Sequence, residues 1–200
     1  MIGALILAAG ESSRMGRDKA LLDYRGRTFL ASVLASLREA GLDRVVVVLG
    51  HHAEEIRDAV ELGEAAVVVN RDYRLGQTSS LQAGLRELDD PEVEAVVLCL
   101  VDHPAVSVAT VKKLMTAFRE TNAPAVIPTY KGRHGHPILI GRSLFDKLLS
   151  LDWGQGAATV IRAHRESTEF VEVEDESILV DVDSPEDYRR LTRDDESPSG

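Results

Sequence analysis

The sequence predicts an α/β protein with a mostly parallel sheet covered on both faces by helices. Three observations predict it. Strongly apolar, β-branched runs such as RVVVVLG and EAVVLCLVD are continuous rather than alternating, as in strands buried on both faces. Stretches of helical periodicity separate them. Strand, helix, strand, helix in succession implies right-handed crossovers and parallel pairing.

The elements follow in order. IGALILA (residues 2–8) is the first doubly buried strand. Leu30, Val33, Leu34 and Leu37 repeat at i, i+3, i+4, i+7 and mark a core-facing helix, with Gly41 as its C-terminal stop. RVVVVLG (44–50) and AAVVVN (65–70) are further strands. Leu81, Leu85 and Leu88 form a shorter helical stripe behind GQTSSL, where Ser79 or Ser80 is a candidate cap. EAVVLCLVD (94–102) is the fourth strong strand, and Val111, Leu114, Met115 and Phe118 stripe the helix after it. APAVIP (123–128) and HPILIG (136–141) are shorter strand candidates. FVEVE (170–174) and ILVDVD (178–183) alternate and read as half-exposed strands. SPED then starts a helix, with Ser184 at the N-cap and Pro185 at the first helical position. Residues 1–191 form a single domain, and TRDDESPSG (192–200) is a disordered polar tail.

Composition narrows the function. A chain of 200 residues, 44% hydrophobic and 28% charged, is an ordinary globular domain. Its formal net charge of -10 argues against a nucleic-acid partner, which needs a basic footprint. An anionic ligand must therefore be held by local positive groups. The lone Cys99 allows no intrachain disulfide and sits in a core-like run. No apolar run approaches the roughly 18 residues of a membrane span, and no signal peptide is visible. The expectation is a cytoplasmic protein with no membrane partner.

In a parallel sheet, ligands bind beyond the C-terminal strand ends at a switch in strand order. The residues there are informative. After the first strand comes LAAGESSRMGRDK, whose Ala8, Ala9 and Gly10 leave the backbone open to close approach by a base or phosphate. Arg14 and Lys19 add positive charge. Neither GxxxxGK(S/T) nor GxGxxG is present. The fourth strong strand ends at Asp102, and DVD near the end of the chain brings Asp181 and Asp183. A buried strand-end carboxylate needs a partner, and Mg²⁺ takes carboxylates together with substrate phosphates. The histidine pairs His51–His52 and His134–His136 have neither HExxH spacing nor a cysteine partner for a structural zinc site.

Taken together and in this order, LAAGESSRMGRDK, GQTSSL, Asp102 to Pro104, GHP at Gly135 to Pro137, and DVDSPEDY resemble the MobA-like NTP transferase family over about residues 2 to 191. LAAG, where a guanylyltransferase branch reads LAGG, is more similar to the molybdenum cofactor cytidylyltransferase branch. One element departs from that branch. Where it often carries GDxGAR, WGQGAATVIR places Gly154 and Ala158 at the Asp and Arg positions.

The resemblance implies a Rossmann-like three-layer sandwich of the nucleotide-diphospho-sugar transferase type. It implies transfer of CMP from CTP, or a nucleotide from another NTP, to the phosphate of a molybdopterin-type acceptor. Leu7, Ala8, Ala9 and Gly10 would face the nucleotide, with Gln77, Ser79 and Ser80 on the base or α-phosphate. Arg14 and Lys19 would hold the triphosphate. Asp102 and Asp183, or Asp181 in its place, would bind Mg²⁺, and Gly135 and His136 would lie on the acceptor side. A molybdenum enzyme or its maturation factor is the partner class implied. Two alternatives stay open: transfer to another phosphorylated acceptor such as a sugar phosphate, and a non-catalytic cofactor carrier.

Overall fold

The computed structural model describes residues 1–12 and 15–194. The chain runs β1 (Ile2–Ala8), a small hairpin of β2 (Asp23–Tyr24) and β3 (Arg27–Thr28), α1 (Phe29–Glu39), β4 (Val45–Leu49), α2 (Ala53–Ala59), β5 (Ala66–Val69), α3 (Gln77–Glu87), β6 (Ala95–Leu100) and α4 (Val108–Thr121). It continues through β7 (Ala125–Tyr130), β8 (Arg133–His134), β9 (Ile138–Gly141), α5 (Phe145–Leu149), α6 (Ala157–Ala163), β10 (Glu169–Glu172) and α7 (Pro185–Asp194).

The main sheet has the order β10-β7-β9-β6-β1-β4-β5, with β8 paired to β7. β1 is central and parallel to both β4 and β6. The chain builds outward through β4 and β5, then returns to lay β6 on the opposite side of β1. That reversal is the switch point, and it falls between the loops after β1 and β6. β9 runs antiparallel to β6 and β7, so the sheet is mixed beyond β6.

Alternation along β1 divides the interior into two cores. Ala4, Ile6 and Ala8 join α1, α4 and Val182 on one face; Leu5 and Leu7 join α3, α5 and α6 on the other. The striped leucines of α1 and α3, and Val111, Leu114, Met115 and Phe118 of α4, are all buried. Fully burying such a side chain stabilises by about 1.5–3 kcal/mol each. Gly84 lets α3 approach β1 and β4, since a Cβ there would collide with Leu5 Cδ1 and lie 2.8 Å from Val48 Cγ2. Among the described residues, no helix is long and apolar enough to cross a membrane.

Two expectations are corrected. ILVDVD is not a strand: Glu176–Leu179 forms a 3₁₀ turn, and the following segment is held instead by Val182 N–H donating to the Asp102 carbonyl (3.0 Å). Its alternation reflects anchoring by Ile178 and Val182, both fully buried, rather than sheet pairing. The tail does not begin at 192, because α7 continues to Asp194. Its start follows the expected cap, with Asp187 N–H donating to Ser184 Oγ (3.2 Å) and Ser184 N–H to Asp187 Oδ2 (2.9 Å). Residues 195–200 of the expected tail lie outside the described residues.

Candidate active site

The loops at the switch point enclose a cavity of about 350 Å³. Leu7, Ala8, Ala9, Gly10 and Leu100 line it from the sheet edge, with Tyr73, Gly76, Gln77 and Ser80 from the approach to α3. Ser12, Asp18, Lys19, Val101, Asp102 and Asp183 complete it. The space beside Gly10 is open, so a ligand meets bare backbone there. Gly50, following β4, is required for a different reason: a Cβ would lie 2.6 Å from the Ala9 carbonyl and 2.8 Å from Tyr73 Cβ.

Lys19 is positioned by its own loop. Its N–H donates to Ser12 Oγ (3.0 Å), and Asp18 caps the short turn after it through Ala20 N–H to Oδ1 (3.0 Å). The Lys19 ammonium reaches Asp102 Oδ2 at 3.3 Å and Asp183 Oδ1 at 2.5 Å. Two carboxylates from distant segments thus converge on one cation. Asp102 Oδ1 is buried and has no hydrogen-bond partner among the described residues. A carboxylate pair with one unsatisfied buried oxygen is the donor set that a hard divalent cation takes, so these residues fit a metal. Asp181 is exposed and outside the cavity wall, and its charge acts on His103 and His136 instead.

The serines of GQTSSL divide. Ser80 lines the cavity, whereas Ser79 Oγ bonds inward to the carbonyls of Asp72 (3.0 Å) and Gly76 (2.8 Å). Neither caps α3, whose N-cap is Gly76. Both hydroxyls accept from Asn70 Nδ2 at 2.9 Å, and Asn70 Oδ1 receives Asp72 N–H. Asn70 therefore fixes the cavity wall. It follows β5 directly, and the strand-end rule that singled out Asp102 would have found it. Arg14 lies outside the described residues.

Gln77 and Leu100 also border a second groove of about 460 Å³, so the two spaces adjoin. Gly135, His136, Ile161 and Phe170 line this groove, with Arg162 and Arg165 at its margin. Gly135 packs so tightly that a Cβ would collide with the Ile178 carbonyl. The His103 and His136 rings stand 5.3 Å apart. Burial pushes both imidazoles below their ordinary value, His136 to about 4, although Asp102 and Asp181 pull the other way. Both are neutral at neutral pH. Trp153, half exposed, hangs by its indole N–H on Gln82 Oε1 (3.1 Å) and does not line the groove.

The sequence profile of the MobA-like NTP transferase domain matches residues 4–168. The chain is 32% identical to nicotine blue oxidoreductase of Paenarthrobacter nicotinovorans, over 95% of this chain and 96% of that protein. It is 25% identical to molybdenum cofactor cytidylyltransferase of Escherichia coli, over 94% and 93% of the two chains. The crystal structure of Rv0371c from Mycobacterium tuberculosis superposes with a TM-score of 0.87 at 32% identity, covering 96% of this chain and 97% of that one. A structure of Rv0371c in complex with manganese aligns with a TM-score of 0.82 at 31% identity, over 96% and 98%.

Proposed function

Because the chain belongs to the MobA-like NTP transferase family, we propose that it transfers CMP from CTP to the phosphate of a molybdopterin-type acceptor, releasing pyrophosphate. The observation that carries this reading is the convergence of Lys19, Asp102 and Asp183 at a cavity whose opposite wall is open backbone. The full-length relation to a molybdenum cofactor cytidylyltransferase supports the donor and acceptor.

In the proposed reaction, an oxygen of the acceptor phosphate attacks the α-phosphorus of the nucleotide, and the bond to the bridging oxygen of pyrophosphate breaks. The attacking oxygen is already anionic, so no general base is needed. Catalysis is positioning and charge neutralisation. Lys19 neutralises the triphosphate as charge moves onto the leaving pyrophosphate, with Arg14 from the same loop. Leu7 to Gly10 seat the base and ribose, Gln77 and Ser80 contact the base edge or α-phosphate, and Ser79 with Asn70 holds Ser80 in place. Asp102 and Asp183 would hold Mg²⁺, which when bound neutralises phosphate charge. The manganese complex of Rv0371c supports a divalent cation here.

The acceptor occupies the adjoining groove. Its apolar lining and neutral His136 suit a flat, weakly charged ring system. Ala158 stands where the cytidylyltransferase motif carries Arg. Arg162, one turn further along α6, borders the groove and takes the role of the missing cation. The product passes to a molybdenum enzyme or its maturation factor.

The test is pyrophosphate release with Mg²⁺ and each of the four NTPs, with and without molybdopterin. Release with CTP only when molybdopterin is present is expected. Release on a sugar phosphate instead would move the assignment to another acceptor. Cofactor binding without release from any NTP would refute transfer and favour a carrier. The relation to nicotine blue oxidoreductase supports a second reading, redox chemistry on an aromatic substrate in the apolar groove. Consumption of a reduced nicotinamide in the presence of a quinone-like dye, with no pyrophosphate released, would establish it.

A further inference from the structure

At the edge of the nucleotide cavity, whose wall Asp18 helps to form, the loop after β1 meets the turn after β4. Asp18 lies on the first and His51 and His52 on the second. One donor atom from each of the three lies within 4.8 Å of the others. We propose that Asp18, His51 and His52 bind a divalent d-block cation, Zn²⁺ foremost, at a site separate from the Asp102–Asp183 pair.

Three observations carry this. First, Asp18 is buried, with a side chain only 4% exposed, yet its Oδ2 has no hydrogen-bond partner among the described residues. Its other oxygen already caps the following turn. A buried carboxylate oxygen without a partner is costly, and a cation removes that cost. Second, His51 Nδ1 is likewise buried and unpartnered. Third, Asp18 Oδ2 stands 3.8 Å from His52 Nδ1, too far for a hydrogen bond. Ligands about 2.0–2.2 Å from one zinc ion stand roughly 3.3–3.6 Å apart in a tetrahedron, so a slight closure brings the pair into place. Burial raises the Asp18 carboxyl above its ordinary value, as expected of a group whose counter-charge is missing.

The donor chemistry sets the class of ion. Two imidazoles and one carboxylate suit zinc and its neighbours better than magnesium, which prefers oxygen alone. Three protein ligands leave a position for water or an incoming ligand. Bound there, the ion ties the loop that presents Lys19 to the neighbouring strand end, reinforcing the long hydrogen bond from His51 N–H to the Ala9 carbonyl (3.3 Å). Such an ion would bind whether or not the chain transfers nucleotides.

The experiment is calorimetric titration of Zn²⁺ alone into the metal-stripped full chain, with the visible spectrum of the Co²⁺-loaded protein as a second readout. Wild type should take up one Zn²⁺ tightly, and Co²⁺ should give the intense bands of a four-coordinate site. Asp18→Asn keeps the capping oxygen and loses the charge, and His52→Asn changes a half-exposed side chain, so both variants should remain folded. Each should weaken zinc binding at least 10-fold, because even indirect partners of a metal ligand cost about 10–100-fold. The Asp102→Asn/Asp183→Asn double variant should retain it. Failure of wild type to bind zinc, binding that survives both Asp18→Asn and His52→Asn, or binding lost only in the double variant would each overturn the proposal.

Discussion

Replacing Lys19 with alanine separates the electrostatic role of this residue from its role in turnover. The Lys19 side chain is 14% exposed, and its ammonium lies 3.3 Å from Asp102 and 2.5 Å from Asp183, whose side chains are 22% and 43% exposed. Breaking a fully buried pair costs about 3–5 kcal/mol, whereas an exposed pair contributes about 0–1 kcal/mol. Asp183 is close to the exposed limit, and Asp102 lies between the two. Removing Lys19 also takes away the ammonium that Asp102 and Asp183 share. The expected loss is about 2 kcal/mol in EDTA. For a domain of this size that is a fall in Tm of roughly 4–8 °C. Added salt should shrink the difference, since exposed charges are screened. Divalent cation should also shrink it by occupying the carboxylates. Pyrophosphate release should fall about 100-fold or more, as when one donor to a developing charge is removed. Thermal unfolding in EDTA at low and high salt, beside the release assay, checks both parts. A variant with unchanged Tm and near-wild-type turnover would refute the reasoning.

Three further outcomes follow from the geometry. Gly84→Ala forces a methyl group onto Leu5 and Val48, so overpacking should cost about 1–3 kcal/mol; an unchanged urea midpoint would contradict the packing of α3. His136 has a folded value of about 4 against an ordinary 6.5, so the unfolded chain binds a proton that the folded one refuses between those limits. Stability is therefore lost as pH falls through that window, by up to roughly 3 kcal/mol, and His136→Gln should flatten the slope in calorimetry from pH 7 to 4. Burial pushes the Cys99 thiol up to about 12, so it should resist a disulfide reagent at neutral pH until the protein is unfolded; rapid labelling of the native protein would place it at the surface instead.

The central strands and helical stripes were legible because both periodicities are local. IGALILA and RVVVVLG pair as a parallel ladder, and Leu30, Val33, Leu34 and Leu37 are buried where their spacing put them. ILVDVD was not legible as an anchor, because its alternation is the same whether the buried residues face a sheet or plug a core. The antiparallel β9 was equally hidden, since a short apolar run carries no direction. At the candidate site, Lys19, Asp102 and Asp183 were each visible as strand-end or loop charges. Their convergence followed only from the shared sheet edge and the family resemblance; the choice of Asp183 over Asp181 was not legible, because it depends on a backbone bond between Val182 and Asp102 that no local pattern encodes. Asn70, directly after a strand, was open to the same strand-end rule as Asp102; Asp18 escaped notice for a related reason. A lone Asn or Asp in a polar loop resembles turn chemistry until its burial and partners are known.

That backbone bond also has a consequence in time. A ribosome delivers the chain from its N-terminus, and Lys19 and Asp102 emerge long before Asp183. Until the segment at Ile178 to Asp183 arrives, the nascent chain holds the cation and one carboxylate without the other. Site assembly thus waits for that segment, and a chain truncated before Val182 would carry every strand of the sheet but only half of the acidic pair.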